Sequence, residues 1–79
     1  MTAAELLAYL ARQLVDDPDA VRVDEREADG ALLLELRVAP TDLGKVIGRG
    51  GRIARALRTV MRACAARQNR RVVVEILET

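Results

Sequence analysis

The chain has 79 residues, enough for one small domain, and its 51% of hydrophobic residues with Tyr9 as the sole aromatic predicts an aliphatic core. It contains no histidine and one cysteine, Cys64, which excludes an internal disulfide and removes the residues most often used in catalysis and zinc binding, so we expect a binding module rather than an enzyme. The net charge of +1 divides into −6 over residues 1–42, where four arginines stand against ten acids, and +7 over residues 43–79, which indicates a polyanionic partner.

The first part of the chain predicts a helix followed by a β-hairpin. Thr2 and Glu5 have the spacing of a capping box, and leucines at helical spacing extend a helix over 3–16, which Pro18 ends. A weak strand, expected at a sheet edge, runs from Val21 to Glu27. The dipeptide Asp29-Gly30 is a strong hairpin signal, and strict alternation of leucine with other residues predicts a half-buried strand over 31–38.

The second part predicts two helices and a last strand. Pro40 ends the preceding strand, and Thr41 or Asp42 can cap a short helix over 42–46. A long helix runs from Gly51 to Gln68, and the β-branched residues from Val72 to Ile76 form the last strand. On the long helix an apolar stripe opposes an arginine stripe of Arg52, Arg55, Arg58 and Arg62. For Arg58 and Arg62 an ordinary solvated helix face is an equally good interpretation.

This element order predicts an α+β fold with a three-stranded mixed sheet. The hairpin makes the first two strands antiparallel, whereas the two-helix connection is long enough for a right-handed parallel crossover to the third strand. The second strand is then central, and the helices cover one face of the sheet.

The glycine-rich segment from Gly44 to Arg52 is the candidate functional motif. It lies between two helices rather than after a strand, and Ile53 stands where a dinucleotide-binding fingerprint has its third glycine. The Gly-Lys-Ser/Thr ending of a Walker loop is also missing, so both observations disfavour a nucleotide-binding enzyme. What remains is a helix, a Gly-x-x-Gly loop and a second helix, whose free N–H groups and flanking arginines suit a phosphate backbone.

The sequence Val46-Ile47-Gly48-Arg49-Gly50-Gly51 resembles the GXXG signature of the KH domain, and the element order resembles the type II form. The segments DDPDAV and LRVAPTDLGKVIGRGGRIARALRTV extend this resemblance, over almost the whole chain, to the small single-KH proteins of the KhpA family. It implies one KH domain over 1–79, with an N-terminal helix and edge strand at 1–30 and a KH core at 31–79. The long helix departs from the common KH pattern at Ala54, where a larger aliphatic residue is frequent.

The resemblance implies binding of single-stranded RNA in a groove for about four nucleotides. The implied RNA-binding residues are Lys45, Val46, Ile47, Gly48, Arg49, Gly50, Gly51, Arg52 and Arg55, with Val38 as a further candidate for the groove floor. No metal or cofactor is implied. Single-stranded DNA binding and a role as a protein–protein adaptor remain alternative interpretations.

The resemblance also implies partners. KhpA family members are described as probable RNA chaperones that pair with a larger KH-containing protein, KhpB (Jag), and influence cell-wall synthesis and cell length. We also expect a homodimer, because two linked copies of a weak binding module bind RNA with a higher overall affinity than one copy. Two surfaces suit it: the small-residue strip of the long helix, slightly favoured and formed by Ala56, Thr59, Ala63 and Ala66, and the outer sheet face, with Leu33, Val73 and Leu77.

The sequence shows no membrane-targeting pattern. No run of about 18 apolar residues is present, the length that a transmembrane helix requires. Glu5 lies where a signal peptide would carry basic residues. We therefore expect a cytoplasmic protein without membrane association.

Overall fold

The computed structural model describes residues 1–79 as three helices and three strands. In chain order these are α1 (Ala3–Leu14), β1 (Arg22–Ala28), β2 (Ala31–Val38), α2 (Leu43–Ile47), α3 (Arg52–Ala66) and β3 (Val72–Glu78). Single 3₁₀ turns at Pro18–Ala20, Pro40–Asp42 and Arg49–Gly51 join them. None of the helices combines the length and apolar character that a membrane span needs.

The sheet has the predicted order β1-β2-β3. β1 pairs with β2 in antiparallel register, with Val23 opposite Leu36, and β3 pairs with β2 in parallel register, with Val74 opposite Leu34. Asp29 and Gly30 both have positive φ, 52° and 76°, as a two-residue hairpin turn requires. The predicted α+β fold with a mixed three-stranded sheet and a central second strand is therefore confirmed.

The core lies between one face of this sheet and the helices. Because side chains alternate along a strand, Leu34, Leu36 and Val38 of β2 all point to this face, and each is fully buried. They form one cluster with Leu7 of α1 and Met61 of α3, which are also fully buried. The helices therefore occupy one face of the sheet, as expected.

Two helices are shorter than the sequence pattern predicts. α1 begins with the predicted capping box, in which the N–H of Glu5 donates to Oγ1 of Thr2 at 3.1 Å. It ends at Leu14 instead of residue 16, because the backbone turns extended at Val15 and the next N–H groups bond elsewhere. α3 spans 52–66 rather than 51–68, and its end continues into turn residues.

Neither of the two predicted caps of α2, Thr41 and Asp42, makes a capping hydrogen bond to that helix. Asp42 precedes Leu43, the first residue of α2, but its carboxylate bonds no N–H of that helix. It instead accepts the N–H of Asp16 at 3.2 Å and of Asp17 at 3.0 Å. This long-range use of Asp42 explains the early end of α1, and the 3₁₀ turn before α2 shifts that helix from 42–46 to Leu43–Ile47.

Candidate nucleic-acid interface

The GXXG loop connects α2 to α3 through a backbone that glycine permits. Gly48 has φ 77° and ψ 170°, a conformation confined almost entirely to glycine. A Cβ on Gly48 would lie 2.7 Å from Cγ1 of Ile53, so the second helix packs directly on the loop. Gly50 also has positive φ, 64°, but the space around it is open. The loop is thus held close to α3 at Gly48 and is accessible at Gly50.

No side chain of the protein occupies the backbone donors at the start of α3. The N–H of Gly48 donates to the carbonyl of Gly44 at 2.8 Å, and the N–H of Gly51 donates to the carbonyl of Gly48 at 3.1 Å. No side chain accepts the N–H groups of Arg49 or Gly50, and no side chain caps α3 at Gly51. The N–H groups and the dipole at the start of a helix favour an anion. The start of α3, with the exposed Arg49 and Gly50 before it, is therefore suited to a phosphate oxygen.

The cations around the loop differ in their availability. Arg49, Arg52 and Arg55 are exposed and form no ion pair. Lys45 of α2 is engaged, because its Nζ lies 3.2 Å from Oδ2 of Asp16 and 3.6 Å from Oδ1 of Asp42. The hydrogen bond and charge of Asp16, together with Asp42, raise the pKa of Lys45 above its usual value. The rim of the loop is therefore positive, with the arginines as its free charges.

Two apolar residues expected to contact RNA are buried in the core. Val46 and Val38 are fully buried members of the hydrophobic cluster. Neither side chain is exposed in this structure, although both residues were predicted to contact RNA. An apolar residue beside the motif can face either the groove or the core, and these two face the core. Ile47 and Gly48 are half-buried and remain accessible.

A groove lies between α3, which carries the arginine stripe, and β3, which is an edge strand of the sheet. Its lining comprises Arg58, Arg62 and the first three residues of β3, and its volume is about 340 Å³. Nε of Arg58 donates to the carbonyl of Val74 at 3.3 Å and joins the two walls. The second arginine, Arg62, is exposed.

The arginine stripe predicted for α3 therefore divides between two sides of the helix. Arg52 lines an apolar hollow against α1, together with Leu10 and Val60. Arg58 and Arg62, for which a plain solvated face was equally acceptable from the sequence, instead line the groove with β3. The helical periodicity of the sequence was enough to place Arg58 and Arg62 on a different side of α3 from Ile53 and Leu57. It did not show that β3 lies next to these arginines and makes their side of the helix the wall of a groove.

The remaining chemistry of the chain is sparse. No group of three or more His, Cys, Asp or Glu residues has the proximity to hold a metal ion. Cys64 is half-buried, and several residues around it are apolar. The one fully buried carboxylate, Asp42, is satisfied by two N–H groups and Lys45, which hold its pKa below the usual value although burial by itself would raise it.

Comparison with known proteins gives consistent matches. The family model described as KhpA/KhpB, KH domain matches residues 4–76. A protein of Clostridium acetobutylicum named RNA-binding protein KhpA is 55% identical over 73 residues, covering 92% of this chain and 97% of the relative. The protein of the same name from Borreliella burgdorferi is 51% identical over 74 residues, covering 94% of this chain and 90% of the relative.

Among solved structures, Era bound to MgGDPNP and a segment of 16S ribosomal RNA aligns with 96% of this chain at a TM-score of 0.64. The identity is 23%, so this likeness concerns the fold. Aquifex aeolicus Era bound to GDP and AlF4⁻ gives a TM-score of 0.65 at 22% identity over 96% of this chain. This chain spans only 29% and 30% of the two Era chains.

Proposed function

The chain belongs to the KhpA/KhpB family of KH-domain proteins, whose relatives are named RNA-binding proteins, and we propose that it binds single-stranded RNA through the GXXG loop between α2 and α3. The observation that carries this proposal is the start of α3, which no side chain caps and which follows the exposed loop residues Arg49 and Gly50. Helix N–H groups next to an arginine can hold one phosphate, and the exposed arginines beside them supply the charge that attracts a polyanion.

The proposed path of the RNA begins at the loop and follows α3. Phosphates contact the residues from Gly48 to Gly51, with Arg52 and Arg55 contributing charge and Ile47 contributing apolar surface. The groove lined by Arg58 and Arg62 continues this path along the edge of β3. Under this proposal residues 31–79 are the RNA-binding core and residues 1–30 an extension that covers it.

The affinity of a single copy is expected to be low and sensitive to salt. Tyr9 is the only aromatic residue and lies on α1, so the base stacking worth about 1–3 kcal/mol per base is missing from the groove. Backbone contacts and charge then carry the binding, and both are indifferent to base identity. We therefore propose weak binding with little sequence preference.

The decisive variant is Arg49→Asp with Gly50→Asp. It adds two carboxylates beside the N-terminus of α3, so retention of a labelled oligouridine in a filter-binding assay should fall to background. Aspartate tolerates the left-handed φ of residue 50 better than most residues, and no atom lies within 4 Å of a Cβ there, so the domain should stay folded by circular dichroism.

The matched control is Arg67→Asp with Gln68→Asp. It makes the same change of three charge units at exposed positions beyond the end of α3. Because Arg67 borders the hollow against α1, the comparison uses an oligouridine that fills one groove, for which the control should retain most of the binding. Equal loss in both variants would mean that net charge, not the loop, carries the binding. Undiminished binding by the loop variant would refute the proposal.

The sugar specificity and the cellular role are further parts of the proposal. Competition between matched RNA and DNA oligonucleotides distinguishes RNA binding from single-stranded DNA binding, since both backbones fit the same donors. We propose that the protein acts as an RNA chaperone with a KhpB partner and influences cell-wall synthesis and cell length, as the family resemblance implies. If the loop variant keeps all cellular functions, the chain acts as an adaptor, and its partner contacts carry the phenotype.

Dimerisation is proposed through the surface shared by α1 and α3 rather than through the outer sheet face. Val60 is 44% exposed and borders apolar hollows on both sides, one lined by Leu10 and Leu14 and the other by Leu6 and Ala63. The exposed small residues of α3 let a second helix approach closely; they are Ala56, Thr59, Ala63 and Ala66. We call this area the α1–α3 surface.

The outer sheet face is less suited to association. Its apolar residues lie among ion pairs, in which Arg26 contacts Glu35 at 3.3 Å and Arg37 contacts Asp24 at 4.0 Å. Burying those charges against a partner would cost desolvation energy that the α1–α3 surface avoids. The same surface can receive either a second copy or KhpB.

A further inference from the structure

An ionic cluster of Asp16, Asp42 and Lys45 joins the connection after α1 to the helix that leads into the GXXG loop. Nζ of Lys45 lies 3.2 Å from Oδ2 of Asp16 and 3.6 Å from Oδ1 of Asp42. The side chain of Asp42 is 1% exposed, whereas that of Asp16 is 81% exposed. One carboxylate is thus part of the interior, and the other is a surface group that reaches the same ammonium.

Asp42 holds Asp16 in position. Its two carboxylate oxygens accept the N–H groups of Asp16 and Asp17 at 3.2 and 3.0 Å, which fixes this part of the backbone against the start of α2. The pKa of Asp42 is lowered, because these hydrogen bonds and Lys45 outweigh the effect of burial, so the anchor is charged at neutral pH. The side chain of Asp16 is therefore presented to Lys45 by a fixed backbone.

Lys45 differs from the other cations near the loop. It is the one cation of α2 and lies three residues before Gly48. Arg49, Arg52 and Arg55 have no carboxylate partner, but the ammonium of Lys45 faces two. Its long side chain rotates freely at four bonds, so it can leave an exposed carboxylate when a phosphate approaches.

We propose that Asp16 competes with RNA phosphate for the ammonium of Lys45 and so lowers the affinity and the salt dependence of RNA binding. This inference rests on the proposed function of the GXXG loop. While Lys45 is paired with Asp16, one cation of the basic half is withheld from the RNA. Removing the charge of Asp16 leaves Lys45 with one carboxylate partner, Asp42 at 3.6 Å, so a phosphate then competes with one partner instead of two.

The test compares Asp16→Asn with Asp17→Asn in the full chain. Both remove one negative charge at adjacent exposed positions, and both keep the backbone N–H that Asp42 accepts, but only Asp16 pairs with Lys45. Affinity for a labelled oligouridine is measured over a series of KCl concentrations. Asp16→Asn should tighten binding about two- to fivefold, the range expected of an exposed ion pair, beyond any change in Asp17→Asn.

The salt dependence and a second substitution make the test specific. One additional phosphate contact should steepen the slope of log K against log [KCl] by about 0.7 in Asp16→Asn, with no change in Asp17→Asn. Adding Lys45→Gln to Asp16→Asn should remove both gains. Equal effects of the two asparagine variants, or a gain that survives Lys45→Gln, would overturn the inference.

Failure of this inference is distinguishable from failure of the proposed function. If Arg49→Asp with Gly50→Asp abolishes binding but the two asparagine variants behave alike, the loop binds RNA and Asp16 does not compete. If the loop variant binds like wild type, the proposed function fails, and the role assigned to Asp16 fails with it.

Discussion

At the scale of single residues, Gly48 is the position of the loop that least tolerates a side chain. Its φ of 77° with ψ of 170° costs other residues about 1–3 kcal/mol, and a Cβ would overlap Ile53 at 2.7 Å. We therefore expect Gly48→Ala to lower the free energy of unfolding by at least that strain, measured by urea denaturation.

Gly44 provides the matched control four residues earlier. It lies within α2 at ordinary φ, and a Cβ at this position would have no atom within 4 Å, so Gly44→Ala should stabilise the domain by about 0.5–1 kcal/mol. If the two variants unfold at the same denaturant concentration, the close packing of Ile53 on Gly48 does not limit the loop.

Residues differ in how far their roles could be predicted from the sequence. The GXXG loop is a local motif, and the positive φ of Gly48 follows from the residue type and its position between two helices. Val46 lies beside that motif, but the direction of its side chain depends on how α2 packs on the sheet, so its burial could not be predicted from the motif. The role of Asp42 depends on residues 25 and 26 positions away, which no local pattern reveals.

At the scale of elements, Asp42 connects the segment after α1 to α2, and this connection should depend on pH. The pKa of Asp42 is lowered from its usual 3.8, so ionisation favours the folded state. The ionised carboxylate of Asp42 contributes fully to the free energy of unfolding above pH 3.8, the usual pKa of the group. This contribution is lost as the pH falls through the lower pKa that Asp42 has in the folded protein.

The variant that tests this is Asp42→Asn. It should be less stable than wild type at neutral pH, because an amide can accept with only one oxygen, and the difference should shrink as the pH falls below 3.8. Urea denaturation at each pH gives the free energies of unfolding. Asp19→Asn serves as the control, since Asp19 is exposed and makes no ion pair. A difference that stays constant through acid pH would contradict the assignment.

The two sides of α3 give a second prediction at this scale. Arg62 lines the groove with β3, whereas Arg67 lies beside the apolar hollow against α1. Arg62→Ala should therefore weaken binding of single-stranded RNA and reduce the salt slope by about 0.7, the value for one lost phosphate contact. Arg67→Ala removes the same charge at the end of the same helix and should leave the slope unchanged. Equal losses would indicate that the groove has no particular role.

At the scale of the whole molecule, the strand order followed from short-range signals. The Asp29-Gly30 turn determined the antiparallel pair, and the long connection through α2 and α3 required the parallel one. The sequence also showed that the positive charge lies beyond residue 42, but it did not show which of these cations are paired with carboxylates. Of the cations beyond residue 42, Lys45 and Arg70 are engaged in ion pairs, the second with Glu27 at 2.7 Å. The arginines without an ion pair therefore lie at the loop, on α3 and, as Arg67 and Arg71, in the segment after α3.

Dimerisation through the α1–α3 surface would double this charge without adding a new site. The prediction compares Ala63→Glu with Leu33→Glu by size-exclusion chromatography with light scattering. Ala63 is exposed on α3 next to the apolar hollows, so a carboxylate there should give a monomer, whereas Leu33→Glu on the outer sheet face should leave the dimer intact.

RNA binding by the same two variants separates the effect of association from that of the site. A monomeric Ala63→Glu keeps the GXXG loop, so its affinity for a short oligouridine that fills one groove should match wild type. Its affinity for a long oligouridine that spans two grooves should fall about 100-fold or more, because linked sites gain that much from effective concentration. If Leu33→Glu gives the monomer instead, the sheet face is the interface, and the exposed small residues of α3 do not drive association.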